Sequence, residues 1–180
     1  IRWCGNESGR TRETEWNVIP YQEDPRTAQH FPDLEANSLG SREDLYKGKF
    51  LHYQAAETNT SIREGWFYRD DSLQRVRNAD DVFDIYERAV GGNSIFLLNI
   101  PPNRKGRFSG EDVAVLAETG RRIRETYGND LFGKAQRRTV SPLEILIETG
   151  TPVTINRLLL QEDVLHSSER VEKHAVDAWV

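Results

Sequence analysis

The segment from Ser94 to Pro102 constrains the fold of this chain more than any other. Five of the seven residues from Ser94 to Ile100 are large and apolar without strict alternation, which is typical of a strand covered on both faces by helices. Pro101 and Pro102 have no backbone donors, so the strand must end near Ile100. The sequence therefore predicts a buried strand followed by a polar, basic loop.

Helical patterns flank this strand on both sides. The acidic residue Asp80 opens the first pattern, and Gly91 or Gly92 is expected to take the left-handed position at its end. Ser109 and Asp112 resemble a capping box at the start of the second pattern. The two predicted apolar stripes are Val82, Phe83, Tyr86 and Val90, and then Val113, Leu116, Ala117, Gly120 and Ile123.

A helix, a buried strand and a second helix form the repeating unit of an α/β protein. Open parallel sheets and closed barrels both use this unit, and both bind ligands at the carboxyl ends of their strands. Residues that directly follow a strand are therefore the first candidates for function.

Charge and cysteine content exclude several classes of function. The net charge of −5 and the pI of about 5.5 argue against a nucleic-acid partner or an anionic membrane surface. No stretch approaches the roughly 18 apolar residues of a membrane span. The single Cys4 cannot form an internal disulfide or a thiolate metal cluster, and it is predicted to be a small buried residue rather than a reactive thiol. We expect no metal and no cofactor.

Two carboxylates follow predicted strands. Glu7 lies between Gly5 and Gly9 after a short first strand, and Glu57 follows a strand predicted over residues 50–56. An α/β scaffold presents catalytic carboxyl groups at such positions. A glutamate at a loop tip is more often a solvated surface residue, and this alternative stays open at this point.

Between these two carboxylates lies a stretch with three prolines that reaches Gly40. It is predicted to be a long, irregular but ordered excursion. His30 within it has no partner at a catalytic or metal-ligand spacing and is predicted to lie on the surface. A weak capping box over 41–44 predicts a short turn of helix.

Three consecutive aromatic residues, Trp66, Phe67 and Tyr68, follow Gly65, with Arg63 close by. Aromatic rings beside hydrogen-bond donors and carboxylates suit a sugar, which has one C–H-rich face and an edge of hydroxyl groups. The competing interpretation is a hydrophobic plug between two helices. A third hypothesis, that the basic residues 103–107 grip a phosphate, is weak because the loop lacks a glycine-rich pattern.

The pattern changes after Tyr127. Short alternating runs at 145–147, 153–155, 158–160 and 171–180 are separated by turn signals, which predicts an antiparallel sandwich. We therefore place one domain over 1–128 and a second, truncated domain over 129–180. The chain has no methionine, even at position 1, so it is predicted to be a fragment or a processed piece.

An ordered set of short motifs resembles the C-terminal part of family 29 glycoside hydrolases, the α-L-fucosidases. Their subgroup that acts on α-1,3/1,4-branched fucose is the most similar. The segments from Leu160 to Asp163 and at Arg170-Val171 resemble the start of the β-sandwich of that family. The motifs are Ile1-Arg2-Trp3-Cys4-Gly5-Asn6-Glu7, Arg12-Glu13-Thr14-Glu15-Trp16, Ala56-Glu57, Ser61-Ile62-Arg63, Gly65-Trp66-Phe67-Tyr68, Gly92-Asn93 and Leu97-Leu98-Asn99-Ile100-Pro101-Pro102.

The resemblance implies the last part of a (β/α)8-type barrel followed by the first strands of an antiparallel β-sandwich. It implies that Glu7 is the general acid/base of a retaining exo-α-L-fucosidase, with Glu57 as the second choice. The nucleophile is expected to be an aspartate in the missing N-terminal part, so the fragment alone is expected to be inactive. The chain departs from the family pattern at Asn59, Glu64 and Arg69, which leaves the substrate subsites open.

The resemblance also implies a fucosylated glycan as substrate and a periplasmic or secreted location. An alternative is a non-catalytic carbohydrate-binding or scaffold segment with Trp66 as its stacking platform. We expect Trp3 and Trp16 to exclude water around Glu7. The predicted substrate-binding residues are Trp66, Glu57, Arg63, Tyr68, Trp3, Asn6 and Trp16.

Overall fold

The computed structural model describes residues 1–13, 15–167 and 169–179. Thr14 of the second motif and Val180 of the last predicted run lie outside these residues. The chain divides into two compact units, and the division falls between Thr119 and Gly120, inside one helix. In chain order the elements up to that helix are β1 (Arg2–Trp3), β2 (Val18–Tyr21), α1 (Arg42–Leu45), β3 (Phe50–Tyr53), β4 (Ala56–Ser61), α2 (Ala79–Gly91), β5 (Ser94–Asn99) and α3 (Gly110–Tyr127).

A parallel sheet of three strands in the order β1-β4-β5 forms the centre of the first unit. Arg2 pairs with Ala56, and Ala56 pairs with Ser94, so the three strands start level with one another. The predicted strand at Ser94 is confirmed. The prediction of an α/β unit with a parallel sheet is also confirmed, and the carboxyl ends of the strands meet at one edge.

Helix α2 covers one face of this sheet. Its buried residues Val82, Ile85 and Ala89 recur at helical spacing and form the apolar contact. On the sheet's other face, Ile95 and Leu97 remain 47% and 48% exposed. The prediction that helices cover both faces is therefore wrong for the described part of the chain.

The start of α2 follows ordinary capping chemistry, but its end differs from the prediction. The Asn78 side chain accepts a hydrogen bond from the Asp81 backbone N–H, which satisfies one free donor of the first turn. The left-handed position belongs to Asn93, with a φ of 66°, whereas Gly92 has a φ of −84°. Asparagine tolerates this conformation because its short side chain bonds locally.

The predicted apolar stripes of the two helices are only partly correct. In α2 the stripe runs through Ile85 and Ala89, and Val90 is exposed. In α3 the residues buried in the described structure are Asp112 and Thr119, while Val113 is about half exposed. The polar residue Asp112 is buried because it has a charged partner, described below.

A two-stranded antiparallel sheet of β2 and β3, which are separated in sequence by α1, was not predicted. The single strand predicted over 50–56 is in fact two strands, β3 in this antiparallel sheet and β4 in the parallel one, so the prediction that Glu57 follows a strand is wrong and Glu57 lies inside β4. Ile19, Tyr21 and Leu39 form a small core under the antiparallel sheet. The capping box over 41–44 is confirmed, because the Asp44 N–H donates to Ser41 Oγ, and His30 is exposed as predicted.

The second unit contains one hairpin, formed by β6 (Gln136–Ser141) and β7 (Glu144–Glu148), and a short helix α4 (Val164–Ser167). The strands predicted at 153–160 and 171–179 are absent from the described residues. The coarse prediction of a small antiparallel sheet after the parallel one is confirmed. No helix among the described residues is long and apolar enough to cross a membrane.

Candidate active site

The Glu7 loop crosses the carboxyl end of the parallel sheet. Gly5 and Gly9 have φ values of 83° and 79° and allow the sharp turns at its two ends. Asn6 stabilises the loop, because its Oδ1 accepts hydrogen bonds from the backbone N–H groups of Ser8 and Arg10, both at 3.1 Å. Asn6 therefore acts inside the loop, which leaves the Glu7 side chain exposed at the tip.

The structure brings Glu7 and Trp66 together across 59 residues of sequence. The indole Nε1–H of Trp66 donates to Glu7 Oε2 at 2.6 Å. This distance is short for a bond from a neutral N–H donor, and a carboxylate acceptor favours such short bonds. A half-buried indole and an exposed carboxyl group thus form the centre of the candidate site.

The loop that carries Trp66, Phe67 and Tyr68, called the aromatic loop, is held by hydrogen bonds from two sides. The Asn99 side-chain amide donates to the Trp66 carbonyl at 3.0 Å and to Ser61 Oγ at 3.1 Å. The buried Gln74 amide donates to the carbonyls of Glu64 and Phe67 at 2.9 and 2.8 Å. These bonds hold the main chain on either side of Trp66.

Arg63, which precedes the aromatic loop in sequence, links this loop to α3. Its side chain is buried, and its Nε donates to both carboxylate oxygens of Asp112, at 2.9 and 3.2 Å. The Arg63 guanidinium carbon lies 5.3 Å from the centre of the Tyr68 ring, a cation–π contact. Arg63 and Tyr68 are thus brought together, and their contact with substrate stays a prediction.

Trp3 and Glu57 are neighbours on adjacent strands. They form a register pair between β1 and β4, so both side chains project from the same face of the sheet. The Trp3 Nε1–H donates to Asn59 Oδ1 at 3.3 Å. Asn59 is one of the positions where the chain departs from the family pattern, and here it binds an indole.

Trp16 is not brought to Glu7. Its backbone oxygen accepts a hydrogen bond from Arg2 at 2.8 Å, and the preceding residue Glu15 bonds through its backbone N–H to the Gly92 oxygen. Both contacts lie at the amino ends of the strands, whereas the Glu7 loop lies at their carboxyl ends. The role of Trp16 in shielding Glu7 therefore has no contact to support it.

The sequence interpretation missed Asn99, Gln74 and Asp112 as residues that shape the site. A usable signal existed for Asn99, a polar residue at the end of an apolar strand and directly before Ile100-Pro101-Pro102. Gln74 gave no signal, because its neighbours are charged and irregular. Asp112 was assigned to a helix cap, but its carboxylate binds Arg63 instead.

The arrangement suits chemistry by a carboxyl group beside an aromatic side chain. Within the described residues, no group of three or more His, Cys, Asp or Glu side chains could hold a metal ion. A glutamate in a loop at the carboxyl ends of parallel strands, next to an indole, is in the position where α/β enzymes carry out their reactions.

Comparison with known proteins identifies the family. The model of the α-L-fucosidase family matches residues 26–128, which is more than half of the chain. The chain belongs to the α-L-fucosidase family. The residues matched include Glu57, the aromatic loop and the strand at Ser94, and the resemblance to family 29 glycoside hydrolases is thereby confirmed.

Plant relatives agree with this family assignment. α-L-Fucosidase 1 from Arabidopsis thaliana is 34% identical over 135 residues, which covers 75% of this chain and 24% of the plant protein. A relative from Oryza sativa subsp. japonica is 28% identical and covers 99% of this chain but 38% of its own length. The chain therefore spans about a quarter to two fifths of the length of these curated α-L-fucosidase relatives.

Solved structures of the family share the fold. A glycoside hydrolase 29 family member from an unknown rumen bacterium is 30% identical, with a TM-score of 0.62 over 82% of this chain and 24% of that one. A Ruminococcus gnavus GH29 fucosidase, solved in complex with fucose, is 24% identical, with a TM-score of 0.55 over 74% of this chain and 25% of its own. The second similarity concerns the fold alone.

Proposed function

We propose that this chain is part of a retaining exo-α-L-fucosidase that removes terminal α-1,3/1,4-linked L-fucose from glycans. In this proposal residues 1–128 are the C-terminal portion of a (β/α)8-type barrel. Residues 129–180 are the first portion of a β-sandwich. The uncovered sheet face at Ile95 and Leu97 agrees with a barrel whose remaining strands lie elsewhere in the longer protein.

One observation carries the proposal. The Glu7 carboxyl group lies at the carboxyl end of the parallel sheet and is held by the Trp66 indole at 2.6 Å. Sugar hydrolases need a carboxyl group beside an aromatic surface, because the ring stacks on the apolar face of the sugar while the acid acts at its edge. The loop geometry and the resemblance of the motif around Glu7 together favour Glu7 over Glu57 as this acid.

A retaining glycosidase uses two carboxyl groups roughly 5 Å apart. One attacks the anomeric carbon and forms a glycosyl-enzyme, while the other protonates the leaving oxygen. The second carboxyl group then removes a proton from the water that hydrolyses the intermediate. We assign the second role to Glu7 and expect the nucleophile to be an aspartate elsewhere in the longer enzyme.

The substrate would be a fucosylated oligosaccharide or glycoconjugate. The match to the α-L-fucosidase family and the 34% identity to an α-L-fucosidase from Arabidopsis thaliana support this substrate class. Trp66, Trp3 and Tyr68 would contribute aromatic contacts, and Glu57, Arg63 and Asn6 polar ones. Since such glycans lie outside the cytoplasm, we propose a periplasmic or secreted enzyme.

The test compares Glu7→Ala with Glu57→Ala in the complete enzyme. Loss of an acid/base costs about 10²–10⁴-fold in rate, so Glu7→Ala should lose that much on aryl fucosides with poor leaving groups. It should retain much of its kcat/KM on activated ones, because their departure needs no protonation, but its kcat should fall because the fucosyl-enzyme is then hydrolysed without a general base. Azide should accelerate Glu7→Ala on activated substrates and yield a fucosyl azide of retained configuration.

A wrong assignment would have a clear signature. If Glu7→Ala hydrolysed poor leaving groups normally and azide had no effect, Glu7 would not be the acid/base. If Glu57→Ala instead lost activity on poor leaving groups and was accelerated by azide, the acid/base role would belong to Glu57. An enzyme without any fucosidase activity that still binds fucosylated glycans through Trp66 would support the alternative of a non-catalytic binding segment.

A further inference from the structure

We propose that Trp66 is also the positioning residue of the Glu7 carboxyl group, and that it performs this role through its indole N–H. This inference rests on the proposed function of Glu7 as acid/base. It assigns Trp66 a role in addition to an aromatic contact with the sugar, namely to favour one oxygen of Glu7 as the site of the proton and to set where that oxygen points.

The Glu7 side chain needs such a partner. It is exposed at the tip of a loop whose internal hydrogen bonds come from Asn6, so the loop fixes the backbone of Glu7 but leaves its side-chain torsions free. A glutamate has three side-chain torsions, and holding them in one arrangement costs rotamer entropy. The bond from the Trp66 Nε1 at 2.6 Å supplies the constraint.

The donor selects one oxygen of the carboxyl group. An N–H group can only donate, so Glu7 Oε2 must accept in every protonation state. When Glu7 is protonated, its carbonyl oxygen is the better acceptor, so the bond to Oε2 favours the proton on Oε1, the oxygen that would face the leaving group. After the leaving group has departed with that proton, Oε1 can accept a proton from the attacking water, which restores the starting state.

The indole can serve this purpose because its own position is fixed. Asn99, at the end of β5, holds the Trp66 carbonyl, and Gln74 holds the carbonyls of Glu64 and Phe67 on either side. Gln74 is buried, and Asn99 bonds at the same time to Ser61 of β4. The indole donor is thus held by β4 and β5, so the sheet sets the position of the Glu7 carboxyl group.

Leaving-group dependence tests this assignment in the complete enzyme. Trp66→Phe keeps an aromatic face for the sugar and removes the N–H. We expect kcat/KM to fall about tenfold to a hundredfold on aryl fucosides with poor leaving groups, the range that a hydrogen bond to a charged group supports. On activated fucosides, which need no protonation, it should fall by about threefold or less.

Two further variants make the result specific. Asn99→Ala keeps the Trp66 side chain but removes the hydrogen bond to its backbone carbonyl. It should show the same leaving-group dependence with a smaller loss of kcat/KM, and it provides the test if Trp66→Phe does not fold. Phe67→Leu changes the exposed aromatic neighbour of Trp66, and it should show no change in leaving-group dependence.

The possible outcomes separate the two proposals. If Trp66→Phe lowers kcat/KM equally for all leaving groups while Glu7→Ala discriminates between them, Trp66 acts by stacking or folding and the inference is overturned, but the function of Glu7 stands. If Glu7→Ala itself does not discriminate, the proposed function fails and this inference fails with it. If kcat/KM falls more for poorer leaving groups in both Trp66→Phe and Glu7→Ala, both proposals are supported.

Discussion

Both oxygens of the buried Asp112 carboxylate, in the first turn of α3, share the single Nε–H of Arg63 in a bifurcated hydrogen bond. The Asp112 side chain is fully buried and that of Arg63 is 5% exposed. The same guanidinium lies over the Tyr68 ring. A single ion pair therefore connects the end of the β4 region, the aromatic loop and α3.

Removing the Asp112 charge should destabilise the protein strongly. Asp112→Ala leaves the Arg63 guanidinium buried without its counter-charge, and the loss of one partner of a buried ion pair costs about 3–5 kcal/mol. We expect the urea midpoint of the complete enzyme to fall accordingly, as followed by tryptophan fluorescence.

Glu111 provides the matched control for this substitution. It neighbours Asp112 in sequence and also contacts Arg63, at 3.5 Å, but its side chain is 77% exposed. Glu111→Ala should change stability by about 1 kcal/mol or less, since exposed pairs contribute little. Equal destabilisation by both variants would show that burial of the pair is not what matters.

The central part of the fold could be predicted from the sequence because its signals are local. The strand at Ser94 is an apolar run ended by two prolines, and α2 carries its cap at Asn78 and its stripe within thirteen residues. The rule that parallel strands present their carboxyl ends at one edge made residues after strands the first candidates for function. Glu7 does follow β1 and meets Trp66 at this edge, whereas Glu57 lies inside β4.

The elements that prediction missed depend on partners distant in sequence. Pro20 suggested an irregular loop, but it pairs with Leu51 in a two-stranded antiparallel sheet, where an edge position tolerates a residue without an N–H. Conversely, the runs at 153–160 alternate like strands, yet they form none in the described structure. Alternation of apolar and polar residues shows which side chains could share one face of a strand. A strand also needs a neighbouring strand to pair with, and alternation does not show that one is present.

The free energy of unfolding should depend on pH because a second carboxylate, that of Glu15, is buried. Glu15 is buried between Arg2 and Arg12, which contact its carboxylate at 3.1 and 3.0 Å. Burial raises the pKa of Glu15, but the hydrogen bonds and positive charge of Arg12, together with the bond from Arg2, outweigh this effect and lower the pKa below its usual value of 4.5. Arg2 Nη2 donates to Glu15 and to the Trp16 oxygen, whereas Arg2 Nε and Nη1 have no hydrogen-bond partner within the described residues.

Glu15→Gln should destabilise the complete enzyme at neutral pH by about 3–5 kcal/mol, because Arg2 would stay buried without a counter-charge. A lowered pKa in the folded state means that ionised Glu15 contributes stability above pH 4.5 and that this contribution is lost as the pH falls through the folded value. The difference between the parent enzyme and the variant should therefore be constant down to about pH 4.5 and shrink below it.

Urea midpoints across this pH range measure the effect. The exposed neighbour Glu13 gives the control, because Glu13→Gln removes an equal charge from the same loop and should change stability by about 0.5 kcal/mol or less. A difference between the parent enzyme and Glu15→Gln that grew on acidification would mean that folding raises the pKa of Glu15 instead of lowering it.

The thiol of Cys4 should react slowly in the folded enzyme. Cys4 is buried next to Ser94 Oγ at 3.9 Å and accepts a hydrogen bond from Thr58 Oγ1 at 3.7 Å. Burial raises the pKa of the thiol above its usual value of 9.0, and the Thr58 bond only partly opposes this effect. Since the thiolate is the nucleophile, both low access and a raised pKa slow its alkylation.

Iodoacetamide labelling at pH 8, followed by mass spectrometry of the tryptic peptide 3–10, measures this reactivity. Labelling of Cys4 should be at least about tenfold slower in the native enzyme than in urea, where the thiol is exposed and its pKa returns to the ordinary range. The native rate should still be rising with pH above 9, where the rate in urea levels off. Rapid native labelling that reached its plateau near pH 9 would mean that the end of β1 opens to solvent, and the Glu7 loop that follows it would then lack the rigid base that the proposed role of Glu7 requires.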